Sequence, residues 1–107
     1  MKTEILVIGR HEEIVQILIR LINQNVQWNA TATSSDGEAK QLFAGGIFDI
    51  VLLSSGIEKQ CEEQLCNFFT EHRPGIVIIQ HYGGGSGLLT GEILMALEHR
   101  YLQNYNA

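Results

Sequence analysis

Residues 48–56 read FDIVLLSSG, a run in which Ile50, Val51, Leu52 and Leu53 follow one another without a polar break before two serines and a glycine. A strand with one face in water alternates apolar and polar side chains, so an unbroken run belongs to a strand covered on both faces. Such a strand delivers its last side chain, Ser54, to the rim of a sheet.

Two other stretches have the same character, TEILVIG at 3–9 and GIVIIQH at 75–81. The stretch VQWNATAT at 26–33 instead alternates Val26, Trp28, Ala30 and Ala32 with polar neighbours, as a half-exposed edge strand does. Helical patterns separate these strands. Residues 12–24 carry a broad apolar face from Ile14 to Ile22, wider than the stripe of about 100° that one side of a sheet requires. Ser35 and Glu38 stand in capping-box spacing before a short helix with Ala39, Leu42 and Phe43, which Gly45 and Gly46 end. Residues 57–72 place Cys61, Leu65, Phe68, Phe69 and His72 on one stripe and must stop before Pro74. A last helix is predicted over 90–105, with Ile93, Leu94, Leu97, Tyr101 and Tyr105 on one face. Strands that alternate with helices and read as solid apolar runs give an α/β fold, a doubly wound and mainly parallel sheet of four to five strands with helices on both faces. Any site then lies at the carboxyl ends of the strands, where residues 9–11, 54–56 and 80–83 fall.

Composition narrows the functional classes. The 107 residues suit one domain spanning 1–107, and 45% apolar with 18% charged residues is the balance of a globular chain. A net charge of -5 with seven Lys plus Arg and no basic cluster argues against nucleic acid as a partner. No apolar stretch approaches the roughly 20 residues that span a bilayer, so no membrane association and a cytoplasmic location are expected. Cys61 and Cys66 do not match metal or redox spacing and are expected as reduced thiols, Cys61 within the core.

The stretches EILVIGRHEEIVQILIRLI, ATATSSDGEAKQLF, FDIVLLS and PGIVIIQ, in this order and spacing, resemble the receiver domain of bacterial two-component response regulators, a flavodoxin-like fold. The resemblance implies where receiver chemistry would sit. Receivers of this family use an acidic pair after the first strand to hold Mg²⁺, an aspartate at the end of the third strand to accept phosphoryl, a Thr or Ser after the fourth and a Lys after the fifth. Here the acidic-pair positions are Gly9 and Arg10, the acceptor position is Ser54, the Thr or Ser position is Gln80, and no Lys follows Lys59. Mg²⁺ requires carboxylate oxygens, which Gly9 lacks, and Arg10 adds a positive charge. A serine hydroxyl without an adjacent base is a poor nucleophile. The chain is therefore read as a degenerate, truncated receiver, a non-catalytic protein-interaction module in bacterial signalling, with no metal and no cofactor.

The stretch HYGGGSGLL leaves too little chain for both a fourth helix and a fifth strand, so the fourth helix is expected to be reduced or missing, with Leu88 and Leu89 as a strand stub. The alternative reading is a small-ligand or phosphate-binding domain using Gly83, Gly84, Gly85, Ser86 and Gly87, although the loop matches neither the dinucleotide fingerprint nor a P-loop. A hydrolase built on Ser54 and His81 is the third reading, weakened because no acidic residue is placed in the sequence to orient His11 or His81. A protein partner of unknown identity is expected, and a homodimer through Ile79, Tyr82, Leu88, Leu89, Met95 and Leu102 is the simplest cover for the remodelled sheet margin.

Overall fold

The computed structural model describes residues 2–81 and 86–105. It contains β1 (Thr3–Ile8), α1 (Glu12–Asn23), β2 (Trp28–Thr33), α2 (Asp36–Gly45), β3 (Ile50–Ser54), α3 (Lys59–His72), β4 (Val77–His81) and α4 (Ser86–Tyr105). The four strands form one parallel sheet in the order β2-β1-β3-β4. The unbroken apolar runs of β1 and β3 occupy its centre, where Ile5–Ile8 and Ile50–Leu53 are buried, and the alternating stretch forms the β2 edge.

Strand periodicity divides the core into two layers. On one face Ile5, Val7, Ile50, Leu52 and Ile79 meet Val15, Leu18 and Ile22 of α1 and Leu89, Ile93 and Ala96 of α4. On the other, Leu6, Ile8, Val51 and Leu53 meet Ala39 and Phe43 of α2 and Leu65 and Phe69 of α3. Right-handed crossovers require this split. The chain moves outward in one direction from β1 to β2, and in the opposite direction from β2 to β3 and from β3 to β4, so α1 lies across the sheet from α2 and α3. A crossover from β4 to a strand beyond it would lie on the α2 and α3 face, whereas α4 packs on the α1 face.

Local signals set the element ends. Ser35 Oγ accepts from the Glu38 amide at 3.3 Å, as the capping spacing predicts, but the Ser35 amide donates to Thr33 Oγ1 at 3.1 Å. At the amino edge, Asp49 Oδ2 accepts from the Glu4 amide at 2.8 Å while Glu4 Oε1 accepts from Asn29, which fastens β3, β1 and β2 in register. Arg73, just past α3, donates to the Phe48 carbonyl and lies over the Phe43 ring.

The structure corrects four expectations about strand and helix bounds and burial. Val26 lies outside β2 and is 76% exposed, since pairing of β2 begins at Trp28. Cys61 is half-buried and is not part of either core cluster, because it lies in the first turn of α3 at the rim; Leu65 and Phe69, further along, enter the core instead. The last helix begins at Ser86, four residues before the predicted start, so Leu88 and Leu89 are helical and form no strand stub. Leu94 leaves the predicted stripe and is exposed, the buried set being Leu89, Ile93 and Ala96. The wide apolar face of α1 is shared between the core, which Ile19 joins, and solvent, which Ile14 and Ile17 meet.

Candidate functional site

The carboxyl rim collects most of the residues that the sequence singled out. Gly9 follows β1, while Ser54 and His81 end β3 and β4, and all three share the parity of Val7, Leu52 and Ile79, so they form a row on the α1 and α4 face. Ser54 and His81 are register partners on adjacent strands. Both are buried, Ser54 at 4% and His81 at 3% exposure. A β-carbon on Gly9 would stand 2.6 Å from Val15 Cγ2 and 2.9 Å from Ser54 Cβ, so the side chains of Val15 and Ser54 already fill the space that any residue larger than glycine needs.

Arg10 turns to the opposite side. Its Nη1 donates to the Ser34 carbonyl at 2.8 Å and its Nη2 forms an ion pair with Asp36 Oδ1 at 2.7 Å. Partial burial opposes the guanidinium charge, but the hydrogen bond and the charge of Asp36, with a smaller contribution from Cys61, hold its pKa above the ordinary arginine value. Arg10 is a fixed cation bridging the β1–α1 loop and the start of α2. It also lines a cleft of 410 Å³ between the starts of α1 and α2, with Gly9, Gln16, Thr33, Ser34 and Ser35 among its walls. Ser54 and His81 do not line that cleft.

Gln80 does not join Ser54. It pairs in register with Leu53, whose face belongs to α2 and α3, and its amide donates to Glu62 of α3. Because strand side chains alternate, the neighbour of Ser54 on β4 is His81. His81 Nδ1 contacts Glu92 Oε1 of α4. This corrects the expectation that no acidic residue orients His81. The sequence hid Glu92 because a contact between a strand end and a residue eleven positions later depends on how α4 docks. Burial pushes the Cys66 thiol up, with Glu62 adding to the effect, so Cys66 is a poor nucleophile.

The row Ser54, His81 and Glu92 has the residue types of a hydrolytic triad, but an acyl substrate must reach the hydroxyl and both partners on the sheet are buried. Among the described residues no group of His, Cys, Asp and Glu is assembled that could hold a metal ion. Of the glycine loop, Gly83, Gly84 and Gly85 lie outside the described residues, as does Tyr82, and nothing is described of the side chains of Ser86 and Leu102; the backbone of Ser86 and Gly87 opens α4. Ile79 and Leu89 belong to the core and offer no free surface, whereas Leu88 and Met95 are exposed. Among the described residues no helix is long and apolar enough to cross a membrane.

Comparison with solved structures decides the architecture. The signal receiver domain of an HD domain-containing protein from Pseudomonas fluorescens Pf-5 superposes with a TM-score of 0.83 at 18% identity, covering 94% of this chain and 98% of that chain. The chain has the receiver fold. The non-phosphorylated HemR receiver domain from Leptospira biflexa matches this fold with a TM-score of 0.65, 18% identity and coverage of 92% of this chain and 94% of that one. The lactose-specific IIB component domain of a phosphotransferase system from Streptococcus pneumoniae also matches, with a TM-score of 0.62, 19% identity and coverage of 92% and 93%. No family model and no curated protein matches the sequence. Among the described residues the receiver fold here has four strands, and α4 occupies the face of α1.

Proposed function

We propose that this chain is a degenerate receiver, a non-catalytic module that works in bacterial signal transduction through protein contacts rather than through phosphorylation at the usual position. One observation carries the reading: at the rim, Gly9 has no room for a side chain beside Val15 and Ser54, while Arg10 offers no oxygen and turns away to pair with Asp36. A receiver using Mg²⁺ and an acceptor carboxylate needs hard oxygen ligands at those places. Ser54 supplies a buried hydroxyl where that chemistry uses a carboxylate, and His81, its register partner, is turned to Glu92.

Intact-mass measurement after incubation with Mg²⁺ and a small acyl phosphate tests this reading. The expected result is an unchanged mass. A stoichiometric, acid-labile phosphoryl adduct on the chain would overturn it. The Ser54→Asp variant is expected to stay unmodified too, because the added carboxylate still lacks its companions at positions 9 and 10.

A further inference from the structure

The edge strand β2 lacks the features that commonly keep another strand from adding to a sheet. Charged side chains, prolines and bulges serve that purpose. The six residues of β2, WNATAT, contain no charge and no proline, and they pair with β1 in unbroken register from Thr3↔Trp28 to Ile8↔Thr33. Among the described residues β2 pairs with no strand but β1. The Thr3 amide donates to the Gln27 carbonyl and the Gly9 amide to the Thr33 carbonyl, so the odd-numbered residues of this stretch face β1. Trp28, Ala30 and Ala32 therefore turn their backbone groups outward.

The end of α1 takes up two of these three outward amides. α1 buries Val15, Leu18 and Ile22, and Asn23, about 100° further round the helix, extends to β2, where its Oδ1 accepts from the Ala30 amide at 2.9 Å. In the turn that follows, the Asn25 amide donates to the Ile22 carbonyl at 3.1 Å and Asn25 Oδ1 accepts from the Gln27 amide at 2.8 Å. Held in this way, the Asn25 carbonyl accepts from the Trp28 amide at 3.0 Å. Any added strand that uses two of the three outward amides must displace Asn23 or Asn25. The Trp28 bond belongs to the turn itself, whereas the Ala30 bond depends on one side chain at the last residue of the helix. We infer that the Asn23 carboxamide guards the β2 edge: it holds the central outward amide within the chain and keeps β2 from pairing with a strand of another molecule, of which β2 of a second copy is the source always at hand. This is independent of the phosphorylation reading and adds to it an edge that partner strands do not use.

Two substitutions at this exposed position separate the guard from a merely structural role. Asn23→Ala removes the acceptor without adding apolar bulk, and Asn23→Asp keeps an acceptor oxygen. At low concentration, hydrogen exchange of the Ala30 amide in the Asn23→Ala chain is expected to be about three- to tenfold faster than in the unsubstituted chain, the range that one hydrogen bond accounts for. Exchange in β1 and β3 is expected to change less. At high micromolar concentration the same variant is expected to scatter as a species of about twice the mass of the unsubstituted chain or more, with exchange at residues 28–33 slowing as concentration rises. Asn23→Asp is expected to match the unsubstituted chain in both measurements. Ala30 exchange that ignores the loss of Asn23 overturns the proposal. So does an Asn23→Ala chain that frees Ala30 yet keeps the mass and the 28–33 exchange of the unsubstituted chain at every concentration, and so does an Asn23→Asp chain that behaves like Asn23→Ala.

Discussion

His81, buried at the end of β4, and Glu92, half-buried in the second turn of α4, form a polar link at an otherwise apolar helix-sheet interface. α4 follows the last strand of the sheet, so its docking rests on packing by Leu89, Ile93 and Ala96 and on this link. Replacing Glu92 by Leu leaves the buried imidazole without its partner and is expected to destabilise the fold by about 1–3 kcal/mol. Replacing both residues by apolar ones is expected to recover much of that loss, because a partly buried polar pair has little net advantage over good packing. A double-mutant cycle from urea midpoints measures the difference. Additive losses would show that the two side chains do not act as a pair.

Gly9 is tightly enclosed at the rim. The Gly9→Ala variant forces a methyl to within 2.6 Å of Val15 Cγ2 and 2.9 Å of Ser54 Cβ. The expected cost is about 1–3 kcal/mol, typical of over-packing in a dense core. Combining it with Val15→Ala is expected to recover part of the loss, and chemical denaturation reads both effects. A neutral Gly9→Ala substitution would show that the rim has slack for a side chain.

The Arg10–Asp36 pair is partly exposed, each side chain retaining over a quarter of its accessible surface. Its contribution to stability is therefore expected to be small, within about 1 kcal/mol, and to shrink as salt is added. Arg10→Asp, by contrast, sets like charges against each other beside Asp36 and is expected to destabilise more than Arg10→Ala. Melting temperatures at low and high ionic strength separate the two variants, with the gap between them closing at high salt.

Gly56 takes a φ of +94°, in the left-handed region, and a β-carbon there would stand 2.7 Å from His11 Nε2. Gly56→Ala combines backbone strain with the displacement of His11 and is expected to cost at least about 1 kcal/mol. Gly87 and Gly91 are helical with open space where a β-carbon would lie, so Gly91→Ala is expected to stabilise α4 by up to about 1 kcal/mol. Comparing the thermal unfolding of the two variants checks that the signs are opposite.

The sequence by itself determined the layer architecture. The unbroken runs at Ile5–Ile8 and Ile50–Leu53 can be satisfied only by strands covered on both faces, and local signals such as the Ser35 cap and Pro74 marked where helices start and stop. The placement of Gly9, Arg10 and Ser54 at the rim was legible for the same reason, since strand ends follow from strand runs. Tertiary structure decided which rim residues meet. Gln80 and His81 are neighbours in sequence, yet the alternation of β4 sends Gln80 to Glu62 on one face and His81 to Ser54 and Glu92 on the other, and only the register of β4 against β3 fixes which goes where. The start of α4 was hidden as well. Gly87 and Gly91 lower local helix propensity, so the pattern read from Thr90 onward missed a first turn that is held by burying Leu89 against the sheet. That burial exists only once the core cluster is assembled, because the cluster that Leu89 joins is made of residues far apart in the chain.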